Sequence, residues 1–261
     1  MTPPARHPMD WQLRWQHLVR GLVRVQSPRG EQQLLDSLSR STEPLVLAFV
    51  NAHAMNSAAV SEEFFNALMS ADIIVRDGIG LAILLRLLNQ APGLNLNGTD
   101  LIPKIMARYA GRSIALFGTQ DPWLTQAREV VETRIAPASH CVAAHGFLET
   151  SAYLHLAAEH RPQLIVLGMG MPRQEEVATV LRAALGYPCL IVCGGAIIDF
   201  LGNKTSRAPT WMRRTGLEWA YRLALEPRRL FRRYVMGNPV FLARSLRVAA
   251  QALRRRGLES A

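Results

Sequence analysis

Six short runs of continuous apolar residues recur between Pro44 and Ala196, and segments with helical spacing of their apolar positions separate them. The runs are PLVLAFV, ADIIVRD, RSIALFG, SHCVAA, QLIVLGMG and CLIVCGGA. Strands that are apolar throughout are buried on both faces, and their alternation with helices is typical of a parallel sheet. The pattern therefore predicts an α/β fold: a Rossmann-like, mostly parallel sheet with helices on both faces.

The same pattern divides the chain into three segments. Residues 1–43 give weak helical signals and form a predicted N-terminal lead-in. Residues 44–202 contain the alternating strands and helices and form the predicted core, and residues 203–261 form a C-terminal appendage of different composition. We find neither an internal repeat nor a low-complexity segment.

Charge separates the appendage from the rest of the chain. Residues 203–261 carry 14 Lys and Arg against three acidic side chains, a net charge of +11. The preceding 202 residues carry 16 basic and 17 acidic side chains, so the net charge of +10 arises entirely in the appendage. A neutral body with a strongly basic end indicates an anionic partner for that end.

Three interpretations of the appendage compete, because its arginines are interleaved with aromatic residues. Such a segment can bind single-stranded nucleic acid, lie on a membrane surface, or clamp a diphosphate. Near its end, apolar residues recur at helical spacing with arginines mainly off that stripe, which predicts a basic amphipathic helix. The stripe is Leu242, Leu246, Ala249 and Leu253, and the arginines are Arg244, Arg247 and Arg254. Packing of this helix on its own core is the alternative.

Other features narrow the class of protein. The apolar runs are shorter than the roughly 18 to 20 residues of a membrane-spanning helix. The first 23 residues lack the continuous apolar region of a signal peptide, so we expect the chain in the cytoplasm. The three cysteines, Cys141, Cys189 and Cys193, lack zinc-type spacing and are interpreted as core thiols.

Glycine and polar residues follow the predicted strands, which is where α/β folds bind ligands. Glycine permits close approach of a ligand and exposes backbone N–H groups to it. The candidates are Asn51 and His53, Asp77 and Gly78, Gly118 and Thr119, His145 and Gly146, Gly168 to Gly170, and Gly194 to Asp199.

The stretch LGMGMPRQEE, residues 167–176, is a glycine-rich turn between a strand and a helix. A dinucleotide-binding turn requires a third glycine three positions after the second, and Arg173 stands there. The spacing argues against NAD and favours another phosphate-containing or nucleotide ligand.

The ordered motifs resemble those of the WecG/TagA/CpsF family of bacterial glycosyltransferases, over roughly Pro44 to Tyr234. They are FVNAH (49–53), RDGIG (76–80), GTDL (98–101), LFG (116–118), HGF (145–147), LGMGMPRQE (167–175), CGGAIIDF (193–200), RAP (207–209) and GLEWAYRLALEPRRLFRRY (216–234). The resemblance implies an inverting, metal-independent transferase without a cofactor. Such an enzyme moves a sugar from a UDP-sugar to a polyprenyl-diphosphate-linked saccharide in exopolysaccharide or cell-envelope synthesis.

The resemblance also implies roles for individual residues. Asp77 matches the family's Asp-Gly motif, where the carboxylate is the general base, although its place before an apolar helix also allows a helix N-cap. Asn51 matches a substrate-contacting asparagine. Two positions earlier this chain has Phe49 where the family usually has threonine, which leaves the transferred sugar open.

The remaining candidates are assigned to the two substrates. The predicted substrate-binding residues besides Asn51 are His53, Gly78, Gly118, Thr119, Gly146, Gly168, Gly170, Gln174, Glu175, Gly194, Gly195 and Asp199. The predicted diphosphate-binding residues are Arg207, Arg214, Arg222 and Arg229. We interpret Arg232, Arg233 and later arginines as lipid-facing, and Glu175 is equally compatible with a structural role at a helix start.

The expected partners are a UDP-sugar donor, a polyprenyl-diphosphate-linked acceptor and the anionic cytoplasmic face of the inner membrane, with no specific nucleic acid. Oligomerisation stays open, and so does the donor: N-acetylmannosamine, its uronic acid and glucose-type sugars all fit the motifs. The alternatives are a catalytically silent UDP-sugar-binding homologue, suggested by Phe49, and a basic nucleic-acid-binding protein.

Overall fold

A seven-stranded parallel sheet forms the centre of the computed structural model, which describes residues 9–259 and side chains as far as Arg254. The ends of the two predicted terminal segments, residues 1–8 and 260–261, lie outside the described residues. The strands are β1 (Leu22–Val23), β2 (Leu45–Val50), β3 (Ile73–Arg76), β4 (Ser113–Gly118), β5 (His140–Ala144), β6 (Leu164–Gly168) and β7 (Leu190–Cys193). Their order across the sheet is β1-β3-β2-β7-β6-β4-β5.

Helices cover both faces of the sheet. They are α1 (Trp11–Gly21), α2 (Pro28–Leu38), α3 (Ala52–Val60), α4 (Glu62–Met69), α5 (Ile79–Leu87), α6 (Gly98–Ala107), α7 (Trp123–Val130), α8 (Thr150–His160), α9 (Arg173–Ala184) and α10 (Ile197–Leu201). A π-helical turn, Val131–Ile135, extends α7. The predicted fold class is confirmed.

Each strand buries both of its faces, as the continuous apolar runs predict. In β2, Val46, Ala48 and Val50 belong to one core cluster, whereas Leu47 and Phe49 belong to the cluster on the opposite face. The first cluster packs against α1, α3, α4, α5, α8 and α9, and the second against α2, α6, α7 and α10. Burial of this kind is the main favourable contribution to folding.

The predicted N-terminal lead-in takes part in this core. Trp15 of α1 is fully buried, and its indole Nε1 donates to the Met55 carbonyl at 2.7 Å. Strand β1 pairs with β3 at the edge of the sheet. The segment between β2 and β3 forms two helices, α3 and α4, because Ser61 adopts an extended conformation and caps α4 by accepting from Phe64 N at 3.0 Å.

The C-terminal appendage consists of helices. They are α11 (Thr210–Thr215), α12 (Glu218–Leu225), α13 (Pro227–Phe231), a π-helical turn (Arg232–Met236) and α14 (Gly237–Glu259). Within the described part of the chain, no helix is both long enough and apolar enough to cross a membrane.

Helix α14 packs on the core with a face different from the predicted stripe. Phe241 is 1% exposed and lies 5.4 Å, between ring centroids, from Trp15. Val248 and Ala249 are also buried. The other three stripe residues, Leu242, Leu246 and Leu253, are 42%, 59% and 59% exposed. The prediction is therefore wrong at Ala249, which is buried and does not share an exposed stripe with the three leucines. One face of the helix packs on the core, as the alternative interpretation predicts.

Candidate active site

One cavity opens at the carboxyl ends of the four central strands β3, β2, β7 and β6. The strand order switches at β2. Its successor in the chain, β3, pairs with it on one side, whereas β7, the last strand in the chain, pairs with it on the other side. Such a switch in strand order is where open α/β sheets bind ligands. The cavity is lined by Phe49, Asn51, Asp77, Gly98, Thr99, Gly168, Met169, Gly170, Met171, Gln174, Cys193, Gly194, Gly195, Ala196, Asp199, Phe200, Arg222, Arg229 and Arg233.

Asp77 is the carboxylate at one end of this cavity. It follows β3 directly, and its backbone N–H donates to the Val50 carbonyl at 2.8 Å, which fixes it beside the end of β2. The Asn51 amide donates to the Asp77 carboxyl, while Asn51 Oδ1 accepts from Ala54 N at 3.0 Å. Asn51 is therefore both the N-cap of α3 and a partner of the carboxylate.

Opposing influences act on the Asp77 carboxyl. Burial raises its pKa above the ordinary value, and this effect dominates. The hydrogen bond from Asn51 and the charges of Arg233, Arg222 and Arg76 act in the other direction. A carboxylate with a raised pKa that still meets solvent through a cavity can accept a proton from a substrate.

The alternative role of Asp77 as a helix N-cap is wrong. Gly78 occupies the N-cap position of α5 and has a φ of 84°, which favours glycine. Its N–H donates to Asn95 Oδ1 at 2.7 Å, and its carbonyl accepts from Arg76 Nη1 at 2.8 Å. Because the turn is held by these bonds, the Asp77 side chain is not needed to cap the helix.

Glycine-rich loops form the opposite end of the cavity, after β6 and β7. Gly170 and Gly195 have φ values of 82° and 59°, and a Cβ on either would meet no atom of the described residues within 4 Å. Both the conformation and the open space suit a ligand that approaches the backbone closely. Gly168 and Gly194 are tighter, because a Cβ there would lie 2.7 Å from Ile198 and 2.6 Å from Ile197.

Gln174 and Glu175 differ in position although they are neighbours at the start of α9. Gln174 lines the cavity, and its Oε1 accepts from Gly195 N at 2.9 Å. Glu175 is 1% exposed, is not part of the cavity lining, and accepts from Gln174 Nε2 at 2.8 Å. Glu175 thus orients the amide that holds the Gly195 loop. This contact favours a structural role for Glu175 over direct contact with the substrate.

Three arginines of the appendage reach the cavity. Arg222 lies over the Phe200 ring at 5.4 Å, and Arg229 pairs with Glu226, its Nη2 donating at 2.8 Å. Arg233 lines the cavity beside them, so its interpretation as lipid-facing is wrong. Its charge lowers the pKa of Asp77, and it is the second cause, after burial, that lowers the pKa of His53 to about 4.

Asp199 forms the wall of the cavity next to β4. Its Oδ1 accepts from Thr119 Oγ1 at 2.5 Å and from Lys204 Nζ at 3.1 Å. Lys204 lies 4.9 Å from the centre of the Trp123 ring. Within the described residues, no group of three or more His, Cys, Asp or Glu side chains is placed to hold a metal ion.

The remaining predicted site residues lie around the cavity without lining it. Gly118 and Gly146 allow close packing of backbones, because a Cβ on Gly118 would lie 2.6 Å from Gly168 and one on Gly146 would lie 3.1 Å from Gly118. Arg207 pairs with Asp100 at 2.6 Å. The others are His53, Gly78, Thr119, Glu175 and Arg214, of which Arg214 is exposed.

The family model of the glycosyl transferase WecG/TagA/CpsF family matches residues 22–257 of the chain. The chain belongs to this family. It is therefore a glycosyltransferase, and the family expected from the ordered motifs is confirmed.

Two curated relatives of this family share about a quarter of their residues with the chain. The protein from Bacillus subtilis (strain 168) is 27% identical over 185 residues, which cover 70% of this chain and 72% of the relative. The protein from Staphylococcus aureus (strain NCTC 8325 / PS 47) is 26% identical over 211 residues, which cover 78% and 80%. Each is named N-acetylglucosaminyldiphosphoundecaprenol N-acetyl-beta-D-mannosaminyltransferase.

Several cavity residues were not predicted to be site residues. Gly98 and Thr99 begin α6 within the family motif GTDL, which was a detectable signal. Met171 and Cys193 lie inside motifs that were found, yet their apolar side chains carry no chemical signal, whereas Met169 and Ala196 fall within the candidate stretches Gly168 to Gly170 and Gly194 to Asp199. Arg233 was assigned to the wrong surface, since alternation within a basic run does not indicate which arginine turns inward.

Proposed function

We propose that the protein is an inverting glycosyltransferase that moves a sugar from a UDP-sugar to a polyprenyl-diphosphate-linked saccharide without a metal ion. The observation that carries the proposal is the cavity itself, which combines the Asp77 carboxylate, glycine-lined strand ends and arginines of the appendage. The names of the two relatives support a GlcNAc-diphosphoprenyl acceptor and a donor of the N-acetylmannosamine type.

Asp77 acts as the general base in this proposal. Its carboxylate takes the proton from the acceptor hydroxyl while that oxygen attacks the anomeric carbon from the face opposite UDP. Attack from that face inverts the configuration. The β linkage in the relatives' names agrees with inversion if the donor carries an α-linked diphosphate.

The leaving UDP develops negative charge on its diphosphate as the glycosidic bond breaks. Arg222, Arg229 and Arg233 supply positive charge at the cavity, and the open space beside Gly170 and Gly195 allows the diphosphate to approach the backbone closely. Donors fixed in position before the reaction stabilise developing charge without reorganisation. This arrangement is our reason for proposing transfer without a metal ion.

We further propose that the appendage lies on the cytoplasmic face of the inner membrane, where the lipid-linked acceptor is anchored. Its net charge of +11 and its exposed leucines, Leu242, Leu246 and Leu253, support this location. The arginines that line the cavity belong to the same segment, so membrane contact and completion of the site are linked.

Replacement of the proposed base tests the mechanism. Asp77→Asn keeps the size of the side chain and one acceptor oxygen but cannot accept the proton, so we expect transfer to fall by about a hundredfold or more. The dissociation constant for UDP, measured by calorimetry, should stay within about twofold of wild type, because the proposed role of Asp77 is to accept a proton from the acceptor and not to bind UDP.

The matched control is Asp36→Asn, which changes a half-exposed aspartate that pairs with Arg108 outside the cavity. We expect this control to transfer sugar at the wild-type rate. Retained turnover in Asp77→Asn would remove Asp77 from the mechanism, and a wild-type protein that releases no UDP with any UDP-sugar and a polyprenyl-linked acceptor would contradict the proposed activity.

A further inference from the structure

Gly78, the residue after the proposed base, depends on hydrogen bonds from elsewhere in the chain to hold its conformation. Its φ and ψ are 84° and 171°, a combination that glycine adopts and leaves at little cost. A Cβ there would meet no atom of the described residues within 4 Å, so packing does not fix the turn. The bond from Asp77 N to the Val50 carbonyl fixes the base on its preceding side. On its following side, the direction of the carboxylate depends on how Gly78 is held.

Asn95 and Arg76 hold the backbone of Gly78 at both its N–H and its carbonyl. The Gly78 N–H donates to Asn95 Oδ1 at 2.7 Å, and the Gly78 carbonyl accepts from Arg76 Nη1 at 2.8 Å. The same Nη1 lies 3.5 Å from Asn95 Oδ1, which joins the two bonds into one network. The guanidinium also donates to the carbonyls of Pro92 at 3.1 Å and Gly93 at 2.9 Å. One buried side chain therefore ties the turn after the base to the loop of residues 88–97.

This loop, which carries Asn95, is itself anchored to the segment that follows β1. The Leu94 N–H donates to the Val25 carbonyl at 2.7 Å. A Cβ on Gly93 would lie 2.6 Å from the same carbonyl oxygen, so only glycine permits this close contact. Asn95 is thus presented to Gly78 from a fixed stretch of backbone.

We infer that Asn95 is a positioning residue whose amide oxygen fixes the Gly78 peptide and thereby directs the Asp77 carboxylate into the cavity. The inference rests on the proposed function. Asn95 does not line the cavity, so it acts through Gly78 and not by contact with the substrate. A general base must lie within hydrogen-bond reach of the proton it removes, and a displacement of about 1 Å can lower the rate by about a hundredfold.

Asn95→Ala removes the acceptor of the Gly78 N–H and changes no charge. We expect kcat to fall by about tenfold, because the carboxylate is held less firmly in its reactive position. KM for the UDP-sugar and the dissociation constant for UDP should stay within about twofold of wild type, since donor binding does not depend on this turn. Asn95 is exposed, so the variant should fold, and the calorimetric stoichiometry of UDP binding gives the active fraction by which kcat is normalised.

Asn95→Asp separates positioning from a general loss of structure. It keeps an oxygen that accepts from the Gly78 N–H, so we expect the plateau of kcat to stay within about threefold of wild type. It also adds a negative charge beside the turn, which raises the pKa of Asp77, so the acid limb of the kcat profile should move to higher pH. In Asn95→Ala the acid limb should stay in place. Other charged groups that act on Asp77 are unchanged in both variants: Arg76, Arg222, Arg233 and Glu218.

Gln90→Ala is the matched control, because it removes an amide from the same loop. Gln90 Oε1 accepts from Arg24 Nη1 at 2.9 Å and has no bond to the turn after the base. The control should keep the kcat and the pH profile of wild type.

Three outcomes would overturn the inference: wild-type kcat in Asn95→Ala, an Asn95→Asp variant as impaired as Asn95→Ala at every pH, or an equal loss in Gln90→Ala. Absence of transfer by wild type would instead contradict the proposed function. Amide hydrogen exchange of Gly78, followed by NMR, would then still decide the role of Asn95. Exchange should be faster in Asn95→Ala than in wild type and unchanged in Gln90→Ala, whereas unchanged exchange in Asn95→Ala would show that Asn95 does not hold the turn.

Discussion

The environment of Asp77 combines burial with positive charge, and the two have opposite effects on its protonation. Burial raises the pKa of the carboxyl, while Asn51, Arg233, Arg222 and Arg76 limit that rise. A general base is most effective when its pKa approaches the working pH, but it must stay ionised to accept a proton. The arginines of the appendage therefore help to keep the proposed base in its active form.

Replacement of Arg233 should change the pH dependence of catalysis. In the proposed mechanism activity requires ionised Asp77, so we expect activity to be lost as the pH falls through the pKa of that carboxyl. Arg233→Gln removes a charge that lowers this pKa, and we expect the acid limb of the kcat/KM profile to move to higher pH. We also expect kcat/KM at neutral pH to fall by about a hundredfold through the loss of diphosphate stabilisation.

The neighbouring Arg232 provides the matched control for this experiment, because its side chain is exposed and does not line the cavity. Arg232→Gln should leave the acid limb in place when the acceptor is supplied in detergent. A second readout is His53, whose pKa of about 4 should rise in Arg233→Gln, as followed by NMR. An unchanged acid limb in Arg233→Gln would show that Arg233 does not act on the base.

For single residues, the sequence indicated which residues belong to the site better than it indicated the direction in which their side chains point. Asn51 and Asp77 were found because each directly follows an apolar run, and the end of a strand fixes where its next residue lies. The arginines of residues 228–233 do not follow a strand, so their positions could not be inferred in the same way. Their helices and π-helical turn determine which side chains turn inward, and that turn is absent from the residue pattern.

The first turn of α9 contains a buried carboxyl group, that of Glu175, whose ionised form destabilises the folded state. Glu175 is 1% exposed, and burial raises its pKa from 4.5 to about 7. Its Oε1 accepts from Gln174, while none of the residues that the structure describes donates a hydrogen bond to Oε2. An ionised carboxylate is destabilising here, although it orients the Gln174 amide toward Gly195.

This carboxyl should make the stability of the protein depend on pH. Because the folded state holds its proton up to about pH 7 and the unfolded state releases it near 4.5, the free energy of unfolding should decrease as the pH rises through this window. The expected decrease is about 3 kcal/mol between pH 4.5 and pH 8. Glu175→Gln should abolish this component, as measured by urea unfolding at several pH values.

Glu176→Gln is the control for that measurement, since Glu176 is the adjacent residue and is exposed. It should retain the pH dependence of wild type. If Glu175→Gln and wild type lost the same stability between pH 4.5 and pH 8, the buried carboxyl would not be responsible. Glu175→Gln should also show weaker UDP binding if a neutral amide orients Gln174 less firmly.

Elements were predictable where burial alone determines them. The six apolar runs correspond to strands β2 to β7, because a strand covered on both faces needs no polar residue. Strand β1 has two residues and was missed, since so short a segment contains no periodicity. The break at Ser61 depends on one capping hydroxyl, which the apolar spacing of the surrounding helices conceals.

For the whole molecule, the order of the strands was beyond sequence reasoning, whereas the location of the site was not. Carboxyl ends of parallel strands meet at one edge whatever their order, so glycines and Asp77 could be assigned to one site. Which strands are central determines which candidates line the cavity. Gly146 follows the edge strand β5 and therefore stands outside it.

The distribution of exposed apolar side chains distinguishes the appendage from the core. Among the described residues, ten of the sixteen exposed large apolar side chains lie beyond residue 210, in the segment that carries the net positive charge. They are Trp211, Leu217, Leu225, Phe231, Val235, Met236, Val240, Leu242, Leu246 and Leu253. Apolar and cationic groups on one surface are the combination that binds anionic lipid bilayers.

Simultaneous replacement of Leu242, Leu246 and Leu253 by serine tests this surface without disturbing the core, whereas deleting the appendage would remove the buried Phe241. We expect sedimentation with phosphatidylglycerol-containing vesicles to show a loss of affinity of about tenfold or more, since three leucines no longer enter the lipid. Wild-type binding should weaken with salt, because arginine contacts are screened.

The control changes three exposed apolar residues of the core, Leu13, Val60 and Val180, and should bind the vesicles like wild type. Equal vesicle binding by both triple variants would contradict membrane contact through α14, because lipid entry requires these particular leucines.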